Sequence, residues 1–393
     1  MNEDKFMGQL YQKFPVTIEK GFGSKVIDTN GKEYIDCMCG YGVALTGHAN
    51  PRVVNAIQKQ LKKIITVHGS IYNKTREEFL ENLIKVSPNE LSNAYLSNSG
   101  SEAVEAAIKF ARKFSKKTGI ISMSGAYHGK TLGALSVTHN SKYKVAFQPL
   151  LKDVTFSRFN DIESLQSLIN ANTGTIILEP IQGENGIYLP TDEFLQQVRQ
   201  ICDENSIVLI FDEIQSGLGR TGKMWASEHW KTIPDIMCLA KGIAGGLPMG
   251  ATLTRPDIIA CIRKGEHSST FGGNPLSCAA GNAVIESIIE DKLLENVNKI
   301  GTKLRSGLEN LKKNHNSIRE IRSKGLMVGI EMKFDIKQII LDGINNGLLL
   351  LYSGRNIIRL LPPLILNEEN VIEILNILNI LFTNEEKRRN AQR

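Results

Sequence analysis

Residues 207–225, IVLIFDEIQSGLGRTGKMW, and 234–250, PDIMCLAKGIAGGLPMG, decide how this chain folds. The run Ile207 to Phe211 is continuously apolar and rich in β-branched residues, as a strand covered on both faces of a parallel sheet requires. It leads directly into two acids, Asp212 and Glu213. A charge at the carboxyl end of a buried strand is costly without a partner, and that end is where open α/β sheets hold ligands. A second apolar run, Ile236 to Ala240, ends in Lys241 and a glycine-rich turn. An acid and a lysine therefore stand at two strand ends, with small residues leaving space beside them.

Two readings of that pair are open at this level. One is a buried Asp–Lys ion pair in an ordinary core. The other is a Schiff-base lysine for pyridoxal 5'-phosphate, with Asp212 paired to the pyridine nitrogen so that the ring stays protonated and withdraws electrons. The same stretch carries two nucleotide-like patterns, with glycines at 217, 219 and 222 and a lysine at 223. Both fail on context: Met224 stands where a phosphate loop needs a hydroxyl for magnesium, and no helical periodicity follows.

Outward from this centre, strands alternate with helices between about residues 94 and 254, which calls for a mostly parallel sheet. The strand Ala94 to Leu96 meets Asn98-Ser99-Gly100-Ser101, then a helix expected over Glu102–Lys117 with Gly119 as its stop. That turn caps the helix, and its free N–H groups and bare glycine backbone also suit a phosphate. The strand Ile120 to Met123 runs into Tyr127-His128-Gly129-Lys130, a ring that would stack on a flat ligand and a cation that would face substrate. Thr175 to Leu178 leads to Glu179-Pro180 and the GENG turn bearing Glu184. Ser269 and Thr270 lie in a polar loop before a helix of small residues. Arg359, within NIIRLLPP, reads either as a surface residue of an edge strand or, given its apolar neighbours, as a carboxylate clamp.

Near the start, residues 16–36 form short strands about an Asn30-Gly31 turn, and a helix opens at Pro51. The expected organisation is an N-terminal segment (1–44) belonging to a small domain, a large cofactor-binding domain (45–285) and a C-terminal small domain (286–393).

Composition narrows the function classes. The 393 residues are 41% hydrophobic and 22% charged, with 47 basic and 41 acidic residues giving +6. No apolar run approaches the ~18–20 residues of a membrane span. The opening MNEDKFMGQL has no apolar centre, so a cytoplasmic location is expected. Six scattered cysteines form no C-x-x-C pair, indicating neither a disulfide framework nor a metal site. Basic residues are not interleaved with aromatics as nucleic-acid binding would ask.

Taken in one order, NSGSEAVEAAIK, YHGKT, LEPIQGE, FDEIQSGLGRTG, CLAKGIAGGLPMG and STFGGNP resemble the class III, ornithine-type aminotransferases over nearly the whole chain. The resemblance implies a fold type I homodimer with active sites at the subunit interface. It assigns Lys241 to the cofactor and to proton transfer, Asp212 to the pyridine nitrogen and Gln215 to the ring hydroxyl. Gly100 and Ser101 would cradle the phosphate, and Tyr127 would stack on the ring beside His128. Thr270 would reach the phosphate of the neighbouring subunit's cofactor, with Ser269 at the substrate. Arg359 would grip glutamate, and Glu184 would neutralise it when the amine-ended substrate binds. Lys130 departs from the family's arginine at its position and lacks the flat bidentate fork.

Within the class, GYGVALTGH, KGLMVGIEMK and RLLPPLIL are most similar to the acetylornithine and acetyllysine branch. They are particularly similar to enzymes of lysine and arginine synthesis whose semialdehyde substrates ride on a small acidic amino-group carrier protein. The expected reaction exchanges an amino group between glutamate/2-oxoglutarate and such a carrier-linked semialdehyde. Acetylornithine or ornithine aminotransfer is the alternative within the class, and a silent cofactor-binding regulator or a phosphate-loop ATPase the alternatives outside it.

Overall fold

A computed structural model describes residues 3–391. Its centre is a seven-stranded sheet in the order β4-β10-β9-β8-β7-β5-β6. The strands are β4 (Asn93–Ser97), β5 (Gly119–Met123), β6 (Val154–Ser157), β7 (Thr173–Leu178), β8 (Val208–Asp212), β9 (Ile236–Leu239) and β10 (Gly250–Thr254). Strand β8 pairs in parallel with both β7 and β9. All five of its residues are buried, as the unbroken apolar run requires. Only β10 runs against the others, pairing antiparallel with β4 and β9. It follows β9 through the short Lys241–Ala244 turn, too short for the helix that a parallel crossover uses.

The helix Gly100–Ser115 covers the sheet with a small-residue face of Ala103, Ala106, Ala107 and Ala111, plus Val104 and Phe110. Ser99 caps it by accepting from the Glu102 N–H at 3.2 Å, so the helix starts two residues earlier than its first acid suggests. The expected glycine stop at 119 is a correction. Lys116 takes the left-handed position (φ 59°), while Gly119 already belongs to β5. A Cβ on Gly119 would lie 2.7 Å from the Asn172 carbonyl oxygen, so the glycine serves a close strand approach rather than a helix end.

Two smaller sheets flank this layer. In one, β1 (Ile18–Phe22), β2 (Lys25–Asp28) and β3 (Glu33–Asp36) are joined by β13 (Leu348–Leu349), so the two ends of the chain share a sheet. The Asn30-Gly31 turn joins β2 to β3, with Gly31 at φ 83°. In the other, β11 (Ile318–Lys324), β12 (Met327–Met332), β15 (Ile357–Leu360) and β14 (Leu351–Ser353) run in that order. Arg359 thus sits on an inner strand, not an edge, and is completely buried. No helix among the described residues is long and apolar enough to cross a membrane. All six cysteines are free thiols.

Candidate functional site

Six parallel strands end on one side of the central sheet, and the residues just beyond five of them line a single cavity of about 360 Å³. Strand β4 delivers Ser99-Gly100-Ser101, β5 delivers Tyr127 and His128, β7 delivers Glu179, β8 ends in Asp212, and β9 leads to Lys241. This is the carboxyl edge of the sheet, where helix N-termini and strand ends converge on ligands.

The two acids after the central strand separate. Alternation along β8 turns Asp212 into the cavity, where its Oδ2 lies 2.7 Å from His128 Nδ1. Glu213 faces away and takes bonds from Ser216 Oγ (2.7 Å), Ala226 N–H (3.0 Å) and Ser227 N–H (2.8 Å). It shapes the glycine-rich loop that resembles a nucleotide motif. That loop is filled by protein: Arg220 is buried against the Leu326 and Pro362 carbonyls, and Asn298 donates to the Gly222 carbonyl. No space for phosphate remains there, and no helix begins there.

Lys241 holds a left-handed backbone conformation, φ 48°, uncommon for a residue with a Cβ. Strain of this kind persists only where the surroundings over-determine it. Burial pushes its amine below the usual 10.5, with Glu184 and Asp212 acting the other way. Asp212 is paired with His128 rather than with the lysine, so the plain Asp–Lys ion pair is not what the fold builds. Burial and the nearby Asp212 raise the Glu179 carboxyl to about 7, opposed by His128. Glu179 accepts from the Tyr127 N–H at 3.1 Å and the Gly183 N–H at 3.0 Å, tying two cavity loops together. The sequence offered Glu179 only as an acid at a strand end before proline, and its partners are 52 and four residues away.

The phosphate-like turn is tightly built. A Cβ on Gly100 would meet Ile214 at 2.8 Å, and one on Gly129 would meet Ser101 Oγ at 2.2 Å. Ser101 Oγ accepts from the Lys130 N–H at 3.4 Å. Ser269 Oγ bonds Asn98 Nδ2 and the Gly272 N–H, each at 3.0 Å, and so stands beside this turn. Thr270 is exposed and does not line the cavity of its own chain. Lys130 is also exposed, its Nζ 4.8 Å from the centre of the Tyr143 ring. Tyr143 in turn meets Tyr127 edge-on at 6.1 Å, which the sequence gave no means of finding.

Arg359 Nη1 lies 2.8 Å from Glu184 Oε1 and 3.3 Å from Gln215 Oε1. Its Nε and Nη2 are buried without a partner. An unpaired guanidinium edge inside a protein costs stability unless a ligand completes it. Asp36, Cys39 and His48 also cluster, with candidate ligand atoms within 4.8 Å. Their bonds are already taken up: Asp36 holds His48 and two backbone N–H groups, and Cys39 donates to Ala44. The cluster shapes the 36–48 loop.

The residues present fit pyridoxal 5'-phosphate: a helix N-terminus with free N–H groups, an acid fixed by histidine, an aromatic wall and a lysine of depressed basicity. The fold and this donor set define a pyridoxal-phosphate enzyme of fold type I. The model of the class III aminotransferases matches residues 6–382. The chain belongs to that family, whose members use pyridoxal phosphate to move amino groups between amino acids and keto acids.

An acetylornithine aminotransferase of Caldanaerobacter subterraneus subsp. tengcongensis is 42% identical, over 96% of this chain and 97% of its own length. The crystal structure of acetylornithine aminotransferase from Elizabethkingia anophelis superposes with a TM-score of 0.87 at 32% identity, covering 97% of each chain. The ornithine aminotransferase from Toxoplasma gondii gives a TM-score of 0.92 at 28% identity, over 98% of this chain and 94% of that one.

Proposed function

We propose that the chain exchanges the terminal amino group of acetylornithine, or of ornithine, with 2-oxoglutarate, in amino-acid biosynthesis of the arginine type. The named relatives favour this over the carrier-linked semialdehyde expected from sequence motifs. The observation that carries it is the buried Arg359 with two open donors, covered by the Glu184 carboxylate. Such a pair serves a site that alternates between a dicarboxylate and a substrate whose reacting end is an amine.

When bound, the cofactor supplies an electron sink for the substrate carbon. In this reading Lys241 Nζ would hold it covalently between turnovers and, once released, would take the proton from the substrate carbon that bears the amine and return it on the cofactor side. Asp212, fixed by His128, keeps the pyridine nitrogen protonated, and Gln215 bonds near the ring hydroxyl. Gly100 and Ser101 hold the phosphate through the helix N-terminus, and Tyr127 covers the ring. Arg359 would bind the glutamate α-carboxylate with its open Nε and Nη2 as Glu184 withdraws from Nη1, and Glu184 would return to neutralise it in the other half of the cycle. Lys130 supplies a cation at the cavity mouth for the second substrate.

The working unit in this reading is a homodimer. Thr270 and its neighbour Phe271 are exposed, and Tyr72 lies fully open. Across a two-fold interface Thr270 would complete the partner's phosphate site, with Ser269 behind it.

A half-reaction screen tests the reading. The enzyme is converted to its amine form with glutamate, and acetylornithine semialdehyde, glutamate semialdehyde and carrier-linked semialdehyde are then offered separately. Fastest discharge by the acetylated substrate is expected. Better turnover of the carrier-linked substrate, with steep loss on adding salt, would return the assignment to the carrier branch.

A further inference from the structure

The turn that bears Glu184 rests on the face of the β11-β12-β15 sheet, and what it rests on is specific. Register places Arg322 of β11 opposite Gly329 of β12, and Gly329 opposite Arg359 of β15. Residues directly opposite across antiparallel strands share a face, so two arginines flank one bare glycine in a single row.

Gly186, the last residue of the turn, lies on that glycine. A Cβ on Gly329 would come within 2.8 Å of the Gly186 carbonyl oxygen. Gly186 itself is at φ 124°, and a Cβ there would meet Ile357 at 2.4 Å. Arg322 Nε donates to the Gly186 carbonyl at 2.9 Å. Arg322 Nη1 is held by Glu331 (2.8 Å) and Glu320, its Nη2 is buried without a hydrogen-bond partner, and the guanidinium lies 4.2 Å from the Tyr188 ring centre. On the other side of the row, Arg359 takes the Glu184 carboxylate, and Ser353 donates to the Glu184 carbonyl.

Two identical side chains in one row therefore differ in how fully their charge is matched: two acids face Arg322 and one faces Arg359. Arg322 is neutralised by acids of its own sheet and holds the turn by its backbone. Among the described residues Arg359 is paired with Glu184 alone and keeps two donors open, Nε and Nη2, against one, Nη2, on Arg322.

We propose that Arg322, Gly329 and Gly186 form a seat that fixes the Glu184 turn over Arg359, and thereby sets how the site divides its affinity between dicarboxylate and amine-ended substrates. This rests on the exchange of Glu184 and substrate carboxylate at Arg359 described above. Arg322 is a positioning residue, acting through Glu184. With the seat loosened, Glu184 competes less well for Arg359, so dicarboxylates gain. An amine-ended substrate then leaves the buried Arg359 charge uncompensated, so it loses.

The test compares Arg322→Lys, Gly329→Ala and Glu184→Gln holoenzymes. Lysine keeps the charge facing Glu331 but cannot serve both Glu331 and the Gly186 carbonyl from a planar fork. Gly329→Ala pushes the turn from the other side and leaves every charge in place. Expected for both is a fivefold or larger rise in KM for the amine-ended substrate, with KM for glutamate unchanged or lower. Glutarate, a dicarboxylate without an amine, should bind at least as tightly by calorimetry as to the wild type. In a Glu184→Gln background Arg322→Lys should add nothing further. Equal losses for both substrates, weakened glutarate binding, or full additivity with Glu184→Gln would overturn the seat while leaving the proposed reaction intact. If Glu184→Gln itself leaves the two KM values in their wild-type ratio, the exchange at Arg359 is wrong and the seat falls with it.

Discussion

His128 Nδ1, in the loop after β5, and Asp212 Oδ2, at the end of β8, stand 2.7 Å apart and buried, across the end of the intervening strand β7. A carboxylate only accepts, so Nδ1 carries the proton and donates. His128 Nε2 is then left buried with no partner, which fixes the imidazole as an aligning group for Asp212. Asp212→Asn should slow the proton-transfer step by about 10²–10⁴-fold with little change in fold, because a neutral partner no longer holds charge on the pyridine nitrogen. His128→Gln should show a smaller loss of the same kind. Single-turnover rates check both, and an unchanged rate in Asp212→Asn would remove its assigned role.

Lys241→Ala should lose covalent cofactor attachment, read as the loss of visible absorbance after dialysis, with turnover abolished. The lowered basicity of Lys241 has a direct signature. Capture of the cofactor by cofactor-free protein should rise with pH and level off below the 10.5 of an exposed lysine. A half-point at or above that value would show that burial does not activate the amine.

Arg359→Ala should damage the glutamate half-reaction far more than the amine-ended half. Truncating one partner of a buried, hydrogen-bonded charge pair costs roughly 2–5 kcal/mol. The two half-reactions measured separately decide the matter, and equal losses would make Arg359 a structural residue.

Lys130→Arg restores a bidentate fork at the cavity mouth, where lysine now packs on Tyr143. The KM for acetylornithine should fall severalfold, and Lys130→Ala should raise it. Steady-state kinetics on both variants is the measurement. Unchanged constants in both place Lys130 outside the substrate site.

Glu179 gives a pH effect on stability. Its folded value of about 7 exceeds the ordinary 4.5, so the folded state retains a proton that the unfolded chain releases first. The stabilisation is complete below 4.5 and is lost as pH rises through 7. Glu179→Gln removes this dependence. The melting temperature of the cofactor-free variant, relative to wild type, should therefore climb between pH 5 and 8, by an amount equivalent to about 1–3 kcal/mol. A flat difference across that range would show that Glu179 titrates normally.

The amino-acid sequence by itself determined the alternation of strands and helices, the mostly parallel sheet, and the placing of Asp212 and Lys241 at strand ends. These are local signals: apolar runs of strand length, glycine turns and capping residues act over a few residues. The motif order likewise sufficed for the family, since it needs no three-dimensional contact. Only the tertiary structure decided that His128 holds Asp212 while Glu213 turns to the glycine-rich loop, that Lys116 rather than Gly119 ends a helix, and that Arg359 lies inside a sheet. The family resemblance implied the Arg359–Glu184 pair across 175 residues of sequence, but its geometry, and the row from Arg322 through Gly329 to Arg359, came only from the fold. Strand alternation says that a residue faces one side or the other, whereas register between distant strands chooses its neighbour, and a one-residue shift would exchange every partner.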